Sequence, residues 1–92
     1  MRNRIETIAR RAALTEVGRI RRYHAEYLES NADDLEYLGD DSLYEWIEYG
    51  LIEGERNTLT PIWYTLSEME DFDSFYKGID AVIERVVTHT KG

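Results

Sequence analysis

Apolar residues recur at helical spacing in most segments long enough to show a period. The clearest case is near the C-terminus. Phe75, Ile79, Val82, Ile83 and Val86 fall at i, i+4, i+7, i+8 and i+11, with Lys77, Asp80, Glu84 and Arg85 facing outward. That spacing predicts a helix, capped by Asp73 or Ser74. Roughly Arg4 to Glu29 reads as one long amphipathic helix. At about 100° per residue, Ile5, Ala9, Ala12, Ala13, Ile20, Tyr23, His24 and Tyr27 share one broad face. Gly18 costs a helix interior up to about 1 kcal/mol, which makes Thr15 to Gly18 the place for a break.

The middle of the chain is punctuated more closely. Ser30 and Asn31 favour caps and turns, and they end the first helix. Asp33 and Asp34 open a short helix through Leu38, and Gly39 supplies the left-handed residue that closes it. Asp40 or Asp41 starts a third helix that runs to about Tyr49, with Gly50 as its stop and Leu43, Trp46 and Ile47 on one face. Leu51 to Leu59 reads as a connection containing Gly54 and Asn57. Thr60-Pro61 then predicts a helix start, a hydroxyl cap followed by proline at the first helical position. Ile62, Trp63, Leu66 and Met69 are its apolar positions. The β-favouring residues between Leu59 and Leu66 make a strand the alternative there. Four to five short-connected helices with one stripe each predict an all-α bundle, a single domain over residues 1–92.

Charge changes this picture because it is sorted by position. Met1 to Arg22 holds seven arginines against Glu6 and Glu16, whereas Tyr23 to Tyr76 holds fifteen acids against one base, Arg56. The formal net charge is −8. A field of one sign attracts partners of the other sign and repels nucleic acid. Arginine outnumbers lysine nine to two, so adaptation to a salty solvent is the competing explanation of the acid excess.

Candidate chemistry is sparse. The chain has no cysteine and two histidines, His24 and His89, on different predicted helices and in no metal-binding spacing. His24 reads as a packed core residue. Asp33-Asp34-Leu35-Glu36 and Glu70-Asp71-Phe72-Asp73 lack the glycine of a calcium loop. No serine sits in a glycine elbow, and no glycine-rich loop cradles phosphate. The expectation is a non-enzymatic protein that needs no cofactor or metal. Glu6, Arg10 and Arg11 interrupt the apolar residues from Ile5 to Leu14, so no signal peptide is expected. With no apolar run of membrane-spanning length, the cytoplasm is the expected location.

Two surfaces remain. The acidic one is built from Asp33, Asp34, Glu36, Asp40, Asp41, Glu45, Glu48, Glu53 and Glu55, with Tyr44 and Tyr49 as partly apolar anchors. Carboxylates three or four positions apart on a helix have Cβ atoms about 5–6 Å apart, which approaches the spacing of neighbouring phosphates. Such a face can enter a basic groove that normally holds DNA or RNA, driven by the same counterion release. The second surface is the arginine face of the first helix, with Arg4, Arg11 and Arg22 aligned and Arg10 and Arg21 beside them. It can track phosphates, pair with neighbouring acids or join a second copy in a homodimer.

In size, charge and absence of catalytic motifs the chain resembles the small acidic proteins that phages and mobile elements encode to block restriction or CRISPR nucleases. The resemblance implies a stoichiometric inhibitor, acting in the host cytoplasm, that mimics nucleic acid or occludes its site on a nuclease or its complex. A nucleic-acid-binding adaptor using the arginine face, or a plain dimeric scaffold, is the alternative.

Overall fold

Helix α5 (Phe72–Lys91) is the spine on which the other elements pack. Its 20 residues span about 30 Å. Phe75, Ile79, Val82, Ile83, Val86 and Val87 form its buried stripe, as the periodicity predicts. Around it lie α1 (Arg4–Thr15), α2 (Val17–Ser30), α3 (Leu35–Glu53) and α4 (Leu59–Met69). This computed structural model describes residues 4–54, 57–69 and 71–91, the side chains of 36–38, 40, 69, 90 and 91 excepted. No strand occurs among the described residues, and Leu59 to Leu66 is helical.

Small residues set the α1–α5 distance. Ala9, Ala12 and Ala13 are buried on α1, and Gly78 faces them from α5. A Cβ at Gly78 would overlap the carbonyl oxygen of Glu6 and come within 2.8 Å of the Ala9 Cβ. α1 therefore lies nearly backbone to backbone on α5. α2 supplies Ile20, His24 and Tyr27 to the core, and α3 supplies Leu43, Ile47 and Leu51.

The long N-terminal helix is two helices, divided at Glu16. The Thr15 hydroxyl donates to the Ala12 carbonyl at 2.7 Å, the acceptor that the Glu16 N–H would use in a continuous helix. The Glu16 N–H instead bonds Ala13 O at 2.9 Å, one residue closer. The carboxylate of Glu16 is buried and fully used. Its Oε1 accepts from the backbone N–H and the hydroxyl of Thr58, both at 2.9 Å. Its Oε2 lies 2.8 Å from Arg19 Nε. The α1–α2 junction is thereby tied to the α3–α4 turn.

That turn corrects two expectations. Gly50 does not stop α3, which runs on to Glu53. Gly50 is instead a contact residue: a Cβ there would stand 3.0–3.1 Å from carbons of the Tyr23 ring. Nor does Thr60 cap α4. Its hydroxyl points back to the end of α3, 3.0, 2.8 and 2.9 Å from the carbonyl oxygens of Leu51, Ile52 and Gly54. Asn57 caps α4 in its place, accepting from the N–H groups of Leu59 and Thr60 at 2.9 Å. With Thr58 N–H held by Glu16 and Pro61 having none, the α4 start leaves no donor unmet from Thr58 to Pro61.

Three smaller differences follow from packing. The expected helix through Leu38 and the next one are segments of α3, kinked at Gly39 with φ 69°. α5 starts at Phe72, one residue before the expected cap, and Asp71 accepts from Ser74 N–H at 3.4 Å. Trp46 leaves the Leu43–Ile47 face: it is 41% exposed and meets Tyr27 edge-on at 5.8 Å.

Two glycines in helices should respond oppositely to alanine. Gly18 has open space where a Cβ would go, so Gly18→Ala should stabilise by about 0.5–1 kcal/mol through helix propensity. Gly78→Ala should destabilise by about 1–3 kcal/mol, because α1 must move off α5. Urea unfolding of both variants checks the pair.

Candidate functional site

On α3 the buried row Leu43–Ile47–Leu51 fixes what faces outward. Asp41, Glu45, Tyr49 and Glu53, each four residues from the next, are all exposed. Residues at this spacing form one ridge along a helix, and from Asp41 to Glu53 it rises about 18 Å. α3 carries no lysine or arginine, so the ridge has no cation of its own helix to neutralise it.

A groove flanks the ridge on each side. Toward α4 and α5, Asp41, Tyr44, Glu45, Glu48 and Tyr76 line one recess, which Trp63 and Ile52 extend. The Trp63 indole N–H donates to the Tyr76 hydroxyl at 3.3 Å and holds these two rings in place. Toward α2, a second recess lies between Tyr23 and Glu26 on one wall and Glu45, Trp46 and Tyr49 on the other. Glu45 and Tyr49 border both grooves.

Glu48 belongs to the floor rather than the surface. It is half-buried beside Asp80 of α5, with Glu45 nearby. Burial, the Asp80 hydrogen bond, and then the Asp80 and Glu45 charges push its carboxyl from the ordinary 4.5 up to about 9. At neutral pH the Glu48 carboxyl is thus held in its protonated form. Asp80, expected on the outward face of α5, has one carboxylate oxygen fully buried. α3 packing on α5 turns it inward.

Of the residues singled out in the sequence for the acidic surface, the ridge and its grooves gather Asp41, Tyr44, Glu45, Glu48, Tyr49 and Glu53. Asp33 and Asp34 sit exposed on the turn before α3, ahead of the Gly39 kink. The side chains of Glu36 and Asp40, and all of Glu55, lie outside the described residues. Sequence reasoning missed Tyr23, Glu26, Trp63, Tyr76 and Asp80 as parts of the site. They come from other helices, and no spacing within α3 points to them.

The arginine face is divided by the break at Glu16. Arg4 and Arg11 are exposed on α1, where Arg10 is half-buried against Glu6 at 3.3 Å. Arg21 and Arg22 are exposed on α2, and Arg22 lies 4.0 Å from Glu26 and 5.3 Å from the Tyr23 ring centre. Among the described residues no group of three or more acidic or histidine side chains converges to hold a metal ion. No helix among them is long and apolar enough to cross a membrane. Comparison with protein-family models, curated proteins and solved structures gives no match.

Glu48 should impose a pH dependence on stability. Its folded-state pKa is raised, so between pH 4.5 and about 9 the folded chain binds the proton that the unfolded chain releases. Stability from this group therefore falls as pH rises through that window and levels off above it. Glu48→Gln keeps a donor for Asp80 and removes the titration. Its unfolding free energy should match the parent's near pH 4.5 and exceed it increasingly toward pH 9, by about 1–2 kcal/mol after solvent screening. Parallel pH-dependent slopes for the two proteins would refute the assignment.

Proposed function

We propose that this protein is a non-enzymatic inhibitor or regulator that binds a basic, nucleic-acid-handling protein, such as a nuclease or its complex. The α3 ridge enters the groove that otherwise holds the nucleic acid. Anti-restriction and anti-CRISPR proteins, which the chain resembles in size and charge, would be examples of such a role. The observation that carries this reading is the exposed row Asp41–Glu45–Tyr49–Glu53, presented by a helix with no basic residue.

Three features support it physically. The helix that carries the ridge is anchored by a packed core row, so its backbone is fixed before binding, which lowers the ordering cost of association. Negative charge in a row steers a basic surface toward it and releases that surface's counterions on contact. Tyr49, 70% exposed, and Trp46 add the aromatic area that dominates interface energetics.

The decisive comparison is a pull-down from bacterial lysate with the parent chain and with Asp41→Lys/Glu45→Lys/Glu53→Lys. All three side chains are exposed, so helicity and melting should survive. The parent should capture a nucleic-acid-binding protein that competing DNA elutes, and the variant should lose at least about 90% of it, a tenfold change corresponding to about 1.4 kcal/mol. Equal capture by both chains, or capture that DNA cannot displace, would overturn the proposal.

A further inference from the structure

The α2–α3 groove is chemically unlike the one on the other side of the ridge. Its volume is about 600 Å³, within the range of formed ligand sites. Tyr23, Trp46 and Tyr49 give it aromatic walls, and Glu26 and Glu45 place one carboxylate on each helix. Trp46 and Tyr49 are 41% and 70% exposed, large rings left uncovered in a chain that buries most of its aliphatic residues. Rings flanked by carboxylates suit a cation with a flat, weakly hydrated face, which is the guanidinium group. Lysine's compact, strongly hydrated ammonium makes less of the same walls.

The groove's own rim already shows this contact. Arg22 places its guanidinium over the Tyr23 ring at 5.3 Å while reaching Glu26 at 4.0 Å. Intramolecular pairing of this kind is weak, because both groups of the ion pair are more than half exposed. A cation from outside can replace it at little cost.

We propose that this groove is an arginine-anchoring site, in which a guanidinium of the basic partner stacks on Trp46 and Tyr49 and pairs with Glu26 and Glu45. This deepens the reading above and rests on it: the ridge supplies long-range attraction, and the groove selects arginine over lysine. Gly50 maintains the site, since a Cβ there would press on the Tyr23 ring that forms one wall.

The chain's two tryptophans make the test direct. Only Trp46 lines this groove, and Trp63, bonded to Tyr76, reports on the other side of the ridge. The full chain, labelled with ¹⁵N, is titrated with a hexa-arginine peptide and separately with hexalysine at 150 mM salt. Indole signals are assigned from Trp46→Phe. Hexa-arginine should shift the Trp46 indole saturably, and hexalysine should bind at least about fivefold more weakly. Glu26→Gln, an exposed change that spares the fold, should weaken hexa-arginine by about threefold or more. Arg22→Ala should tighten it, whereas Arg4→Ala, with the same change in net charge, should tighten it less.

The outcomes separate the two proposals. Peptide binding that moves Asp41, Glu45 and Glu53 amides while the Trp46 indole stays still overturns the groove and leaves the ridge. Equal affinity for hexalysine, or identical effects of Arg22→Ala and Arg4→Ala, overturns arginine selection. No binding of either peptide at any site overturns both.

Discussion

A carboxylate withdrawn from water must recover its lost hydration from donors placed around it, and Glu16 is where this fold meets that demand. Thr58 gives it two hydrogen bonds and Arg19 a third. The arrangement cannot form until the α1–α2 junction and the α3–α4 turn stand side by side, so it couples segments some 42 residues apart in sequence. Removing only one side of such a pairing leaves a buried group unmet, which costs more than the bond itself contributes. The same turn carries Asn57 and Thr60, which cap α4 and α3 from within four residues. The orientation of α3, and therefore which of its rows faces solvent, is set by this polar junction as much as by the apolar core.

Two close contacts then fix the distances. Gly78 lets α1 settle on α5, and Gly50 lets the Tyr23 ring lie against α3. The second contact has a consequence for the surface. Tyr23 is held low by Gly50, with its hydroxyl 3.4 Å from the Gly50 carbonyl, so the space above it stays open between Glu26 and Glu45. A larger residue at position 50 would lift the ring into that space. Packing inside the bundle and the shape of its exposed recess are one constraint.

Much of this was legible in the sequence where a single helix decides the outcome. The α5 stripe, the left-handed Gly39, the end of α2 at Asn31 and the interruption before Gly18 all follow from local rules. The failures share a different cause. A glycine after an apolar helix reads as a stop, but Gly50 serves close packing, and only the position of Tyr23 distinguishes the two. Thr-Pro reads as a helix start, yet the Thr60 hydroxyl serves the preceding helix because Asn57 already caps its own. Half of the candidate site was readable on α3, where Asp41, Glu45 and Tyr49 stand at four-residue spacing, although Glu53 fell in the expected connection after Gly50. The other half, Tyr23 and Glu26 on α2 and Asp80 on α5, is assembled by tertiary packing and leaves no periodic trace.

Solubility alone is a poor account of the acids on α3. A charge that keeps a protein in solution works best fully hydrated and away from its own kind, since like charges at helical i, i+4 spacing destabilise by about 0.2–0.5 kcal/mol per pair. Asp41 and Glu45 stand at that spacing. Glu48 goes further: held protonated beside Asp80, it adds no charge to the surface at neutral pH, yet it brings a polar group into partial burial. Neither arrangement improves hydration, and both concentrate carboxyl groups along one side of one helix. A cationic surface laid against that side would lower the repulsion on the ridge and favour ionisation at the floor of the groove. The acidic helix is therefore an arrangement whose electrostatic strain a basic partner would relieve, whereas water only screens it.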